Sequence, residues 1–154
     1  MYVSIRPVKP ADYPAVNMLG TRSYEESYYE SEESFASKMA GYPDGCFVAD
    51  LDGIVGYVIS FPYKLGQACP LNQLFELVPK PDCYYIHDLC VLEDFRGKGV
   101  ATQLAERVLA RKWEVTALVA VNGTGSFWRR FGFQAFAVVN YHGNKAEYML
   151  KLAG

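Results

Sequence analysis

From Cys83 onward the chain does three things in immediate succession, and few folds accommodate all three. Cys83 to Val91 is an apolar and aromatic run suited to a buried strand. Arg96-Gly-Lys-Gly99-Val-Ala101 then turns the chain sharply. From Gly99 to Lys112, Val100, Leu104 and Val108 form one apolar row, and Ala101, Ala105 and Leu109 form the next. Such i, i+4 rows specify a helix packed on a sheet. A strand that feeds a helix through glycines aims successive backbone N–H groups into one concavity, at the positive end of the helix dipole. A phosphate or pyrophosphate binds there through the main chain alone. A Cβ at Gly97 or Gly99 would hold its oxygens away from the amides.

The flanking segments read around that centre. Val3 to Arg6 is a short strand ended by Pro7, and Ala11 to Ser23 is a helix with Val16 and Leu19 on one side. A second helix spans about Ser31 to Met39, with Ser31 as its cap. Gly45 to Asp50 and Ile54 to Phe61 are strands joined at Leu51-Asp-Gly53, where both turn residues tolerate positive φ. Residues 62–82 carry four prolines and read as a loop, with room for one short helix over Leu71 to Leu77. Val115 to Val121 is a strand and Ser126 to Phe131 a short helix. Phe133 to Asn140 and Lys145 to Leu152 close the chain as a hairpin around His142-Gly143-Asn144. Strands pair antiparallel first, and helices then alternate with strands. The expected class is therefore α/β with a mixed sheet.

Bulk properties narrow the function classes. The chain has 154 residues, one domain (1–154) by size and long enough for a proper core. A formal net charge of −2 gives no basic face for nucleic acid. No apolar run is long enough to span a bilayer, and the N-terminal residues lack a signal peptide's pattern, so a cytoplasmic location is expected. Cys46, Cys69, Cys83 and Cys90 have no metal-type spacing, and only two histidines accompany them. Neither a disulfide nor a metal site is expected.

Arg96-Gly-Lys-Gly99-Val-Ala101 resembles the Arg/Gln-x-x-Gly-x-Gly/Ala acyl-CoA signature of the GNAT superfamily of N-acetyltransferases. Tyr85-Ile-His-Asp-Leu-Cys-Val91 looks like that family's central strand. Val119-Ala-Val-Asn122, followed by Phe127-Trp-Arg-Arg-Phe-Gly-Phe133, looks like its second half. The resemblance covers roughly residues 3–152, leaving 64–82 unassigned. It implies a mixed, mostly antiparallel sheet flanked by helices on both faces, with acetyl-CoA as co-substrate. The amides of Gly97, Lys98, Gly99, Val100 and Ala101 would take the pyrophosphate, with Arg96 adding charge. Main-chain groups of Leu89, Cys90 and Val91 would pair with the pantetheine arm. Asn122 matches a polar position that contacts the cofactor in relatives, although a strand-terminal cap explains it as well.

The implied reaction requires a neutral amine. Deprotonating a lysine-like amine at neutral pH costs roughly 4 kcal/mol, comparable to what general-base catalysis supplies. His87 is the candidate base, because its position matches one where relatives carry a basic residue. Tyr85, two residues away, faces the same side of a regular strand and joins it as a catalytic candidate. Asp88 is then expected on the other side. The family's usual general acid, a Tyr, falls on Trp128, whose indole cannot release a proton at useful pH. Ser126, Tyr141, Tyr148 or water are the substitutes, and Trp128 is left to pack beside the pantetheine.

Between the first two helices, Tyr24-Glu-Glu-Ser-Tyr-Tyr-Glu30 interleaves carboxylates with aromatic rings. Glu25, Glu26, Tyr28 and Tyr29 would suit a cationic acceptor, through charge and cation–π contact. A solvated helix face is the alternative. The leading function is acetyl transfer to a primary amine, on a small molecule or a protein. A catalytically degenerate acyl-CoA-binding or sensor domain is the competing class. A nucleotide-binding module is disfavoured, because no Walker lysine with Ser/Thr follows Gly99. Assembly state is open, a homodimer included.

Overall fold

The computed structural model describes residues 3–153, so residues 1, 2 and 154 of the expected domain lie outside it. In chain order the elements are β1 (Ser4–Pro7), α1 (Tyr13–Ser23), α2 (Glu32–Gly41), β2 (Cys46–Asp50), β3 (Ile54–Tyr63) and β4 (Cys83–Val91). They continue with α3 (Val100–Leu109), β5 (Val115–Ala120), α4 (Gly125–Arg129), β6 (Gln134–Tyr141) and β7 (Asn144–Leu152). All strands join one seven-stranded sheet in the order β1-β2-β3-β4-β5-β7-β6. Neighbours are antiparallel except β4 and β5, which are parallel.

Each face of the sheet carries helices, as expected. On one face α3 buries Val100, Leu104, Ala105 and Val108 against Val58, Ile86 and Leu118. Each of those large side chains stabilises the fold by about 1.5–3 kcal/mol relative to exposure. Trp128 and Phe133 extend the same layer. On the other face α1 and α2 contribute Val16, Leu19, Phe35 and Met39, packed on Tyr57, Ile59, Phe61 and Tyr85. The helix α2 begins as its cap requires, with Ser31 Oγ accepting the Ser34 N–H. No helix among the described residues is long and apolar enough to cross a membrane.

Many element ends shift by a few residues from the sequence reading, and two departures have a visible cause. The helix α1 starts at Tyr13 rather than Ala11, after a 3-10 turn over Pro10–Asp12. There the Asp12 carboxylate accepts from the Lys9 N–H and from Arg6, which fixes the entry. The loop 64–82 contains no helix. Its backbone is held from outside instead. The Gly66 N–H donates to Tyr148 Oη, that of Leu71 to His142 Nε2 and that of Phe75 to Ser37 Oγ. Lys38 Nζ donates to the Gln73 carbonyl. Groups satisfied in this way are not available for a helical ladder.

Candidate active site

The sheet comes apart at one place. β4 and β5 pair only over Tyr84–Ile86 and Thr116–Leu118, although both strands run on beyond that point. The cause lies in β4. Ser60 of β3 faces Ile86 and Ile59 faces Asp88, so His87 is an extra residue, a β-bulge. A bulge bends its strand and sharpens the twist, which carries the end of β4 away from β5. A cleft of about 290 Å³ opens between them. Ile86, Leu89 and Val91 of β4 face Leu118, Val119 and Val121 across it, and Ala101, Arg96, Thr124, Phe127 and Trp128 line the α3 end. Tyr24, Tyr28, Leu71 and Tyr141 complete the lining.

At the α3 end the turn is open. Gly97 and Gly99 have φ of +73° and +84°, and no atom lies within 4 Å of where a Cβ would stand on either. Gly99 caps the ten-residue α3. The amides of Val100, Ala101 and Thr102 therefore sit in a first turn, where no i−4 carbonyl exists for them. Arg96 Nε donates to the Val91 carbonyl at 3.0 Å, which ties the turn to the end of β4. Lys98 is exposed, with its ammonium 5.7 Å from the Phe95 ring. The Val100 side chain is in the core, leaving only its main chain for a ligand. The Cys90 side chain likewise packs on the α1–α2 face. Asn122 is an exposed turn residue with φ of +53° and does not line the cleft.

The bulge also overturns the expected alternation. His87 and Asp88 both point to the α1–α2 face, where a regular strand would have separated them. They join two different polar clusters. His87 Nε2 lies 2.8 Å from Glu30 Oε1, and Lys38 Nζ donates to Glu30 Oε2 at 2.6 Å. The side chains of His87, Glu30 and Lys38 are 0%, 1% and 1% exposed. Burial alone would lower the His87 pKa, but the Glu30 carboxylate and the neighbouring Cys69 sulfur together outweigh it and take the value up to about 10. Burial would raise Glu30, yet His87 and Lys38 hold it at about 2. His87 Nδ1 has no hydrogen-bond partner.

The second cluster belongs to Asp88. Tyr57 Oη donates to Oδ2 at 2.6 Å and Tyr24 Oη donates to Oδ1 at 2.7 Å. Burial raises the Asp88 pKa, opposed by the Tyr57 hydroxyl and by charged His87. Unlike the His87 ring, Asp88 and Tyr24 border the cleft.

Several expected site residues therefore change role. The His87 side chain is fully buried against Glu30 and is not presented to a substrate in the cleft. The main chain of His87 alone reaches the cleft. Tyr85 is buried, and its hydroxyl accepts the Cys69 N–H, which makes it an anchor for the loop 64–82. Of the four acceptor candidates, Tyr28 alone lines the cleft, stacked on Tyr141 at 6.3 Å. Glu25 and Glu26 point to solvent, and Tyr29 is at the surface. Among Ser126, Tyr141 and Tyr148, only Tyr141 reaches the cleft, and its hydroxyl donates to the Cys69 carbonyl. Asp88 and Tyr24 were missed as site residues. The bulge that turns Asp88 leaves no pattern in the residues of β4.

Comparison with known proteins agrees with this geometry. A model of the GNAT acetyltransferase family matches residues 12–133. An uncharacterized N-acetyltransferase of Methanocaldococcus jannaschii is 28% identical over 130 residues, 77% of this chain and 53% of the relative. One of Archaeoglobus fulgidus is 36% identical over 92 residues, 57% of this chain and 56% of the relative. The chain thus spans about half the length of the curated relatives it matches. Among solved structures, GphF, a GNAT-like decarboxylase in complex with isobutyryl-CoA, superposes with a TM-score of 0.80 at 18% identity. That match covers 97% of this chain and 98% of GphF, a likeness of fold. With most of its length matched by the family model, the chain belongs to the GNAT family of acetyltransferases.

Proposed function

We propose that the chain is a single acyltransferase domain that moves an acetyl group from acetyl-CoA to a primary amine. One observation carries the reading: the split between β4 and β5 opens directly onto the glycine turn. A free strand edge and an open ring of amides together suit a ligand with an amide-bearing arm and a pyrophosphate. The turn from Gly97 to Ala101 holds the pyrophosphate, with Arg96 and Lys98 nearby as cations. Main-chain groups from Leu89 to Val91 hold the pantetheine arm, and an N–H of that stretch faces the charge that develops on the acyl oxygen. Trp128 and Phe127 pack against the arm. Acetyl-CoA supplies an acyl thioester already activated for attack.

The walls of the cleft also bear on the acceptor. They are mainly apolar and aromatic, and Glu25 and Glu26 stand outside them. An amine carried on an apolar or aromatic group fits this better than a polyamine, whether it comes from a small molecule or a protein.

The test is thiol release from acetyl-CoA across alkyl and aromatic amines, amino acids, polyamines and lysine peptides. Release with one class establishes transfer and names the acceptor. In calorimetry, Gly99→Asp places a carboxylate in the anion site and is expected to abolish CoA binding. Unchanged affinity would refute the cradle. Trp128 favours a second reading, a binding or sensor domain, since its indole cannot protonate a departing thiolate. Tight CoA binding with no release from any amine is the outcome that selects it.

A further inference from the structure

Resting on the acetyl-transfer reading, we propose that Asp88, acting through the Tyr24 hydroxyl, receives the proton that the acceptor amine must lose. Elimination among the polar side chains of the cleft leads there. Arg96 is a cation, Thr124 is no base, and Tyr28 and Tyr141 are phenols. The His87 side chain is turned away and already charged. Asp88 is the single acidic residue that lines the cleft among the described residues, and its carboxylate reaches the lining residue Tyr24 directly.

Tyr24 connects it to the substrate. Its hydroxyl donates to Asp88 Oδ1 at 2.7 Å and lies 3.2 Å from the Leu89 carbonyl. A phenol so held offers its oxygen lone pairs to whatever enters the cleft. An ammonium N–H gives its proton to the Tyr24 oxygen as the phenol proton moves to Oδ1. The nitrogen keeps its electron pair, Tyr24 is unchanged, and Asp88 ends as the neutral acid. Tyr24 is the group that touches substrate, and Asp88 stores the proton behind it.

The surroundings of Asp88 suit a store that fills and empties. Tyr57 from β3 and Tyr24 from the end of α1 donate to its charged form. His87⁺ favours that form too, while burial and Glu30 act the other way. Arg96 faces Tyr24 from the turn after β4. The balance leaves the carboxyl with more affinity for a proton than an exposed aspartate has.

Two measurements on the full chain decide the matter. In protein labelled with ¹³C at the aspartate carboxyls, one resonance should titrate above the ordinary range and be missing in Asp88→Asn. In Tyr24→Phe it should move further up, because a donor to the charged form is lost. With the fastest amine of the panel, Asp88→Asn and Tyr24→Phe should each lower kcat about 10²-fold. Both should lose the acid limb of the pH–rate profile and keep wild-type CoA affinity in calorimetry. A resonance that ignores Tyr24→Phe, or variants that turn over within about threefold of wild type with the acid limb intact, would overturn the proposal and leave the acetyl-transfer reading standing. Silence of the wild type with every amine would bring down both.

Discussion

His87 and Asp88 are consecutive residues on one face of one strand, yet the two polar sites they build are opposites. Around His87 the charged groups meet one another inside the protein: one carboxylate, Glu30, faces the His87 ring on one oxygen and the Lys38 ammonium on the other. Ser34 Oγ, the Asn72 N–H and the Gln73 carbonyl complete the set, and of its residues only His87 lines the cleft, by its main chain. Around Asp88 there are two neutral hydroxyls, and one of them stands at the cleft wall. Closed ion pairs fix geometry and resist change of protonation. A carboxylate held by neutral donors keeps the freedom to take a proton. The difference fits an anchoring role for the first site and, for the second, the proton-accepting role proposed above.

The sharpest way to break this contrast is Glu30→Ala, which leaves two cations buried without a partner. A loss of about 3–5 kcal/mol in urea unfolding at neutral pH is expected. A loss under about 1 kcal/mol, the range of an exposed ion pair, would mean that water already screens the cluster. Tyr57→Phe should come next. It removes one donor to a charged oxygen, worth about 1.5–3 kcal/mol, and should leave the His87 site untouched.

Acidity separates the sites further. The folded-state pKa of His87 is raised from 6.5 to about 10, so its contribution is complete below 6.5 and is lost as pH rises through 10. Glu30 is lowered from 4.5 to about 2, so its contribution is complete above 4.5 and is lost as pH falls toward 2. Their pair therefore stabilises most between these limits. Asp88 is raised, so protonating it favours the folded state, the reverse of Glu30. Wild type should resist urea less at pH 8 than at pH 5.5, and His87→Gln should show little of that decline. A decline of the same size in the variant would assign it to other groups. Smallest of all, the double change Glu25→Gln with Glu26→Gln should alter stability by no more than about 0.5 kcal/mol, and should leave KM for every amine in place. A marked rise in KM for polyamines alone would restore the acidic turn to the acceptor site.

The same strand shows what the residues announce and what they conceal. Gly97, Gly99 and the apolar rows of α3 act through local rules, where positive φ needs glycine and i, i+4 spacing needs a helix. The open glycine turn and its helix were legible for that reason. The orientation of Asp88 depends on a single extra residue in the β3–β4 register, set by long-range packing, and a period-two reading places it on the wrong face. Glu30 was similarly grouped with Glu25 and Glu26 as surface charge. Its true partners, Lys38 and His87, lie 8 and 57 positions away. The loop 64–82 lacked a readable conformation because its hydrogen-bond partners, among them Tyr148, His142 and Ser37, belong to distant elements.

The split between β4 and β5 reaches beyond catalysis. A sheet that parts in its middle is short of one strand, and a ligand arm lying in the gap completes it in the folded chain only. Such a ligand raises the folded population by mass action, by about 2.7 kcal/mol at a hundred times its Kd. If acetyl-CoA is the ligand that fills the gap, as proposed above, resistance to proteolysis in vitro should rise with its concentration.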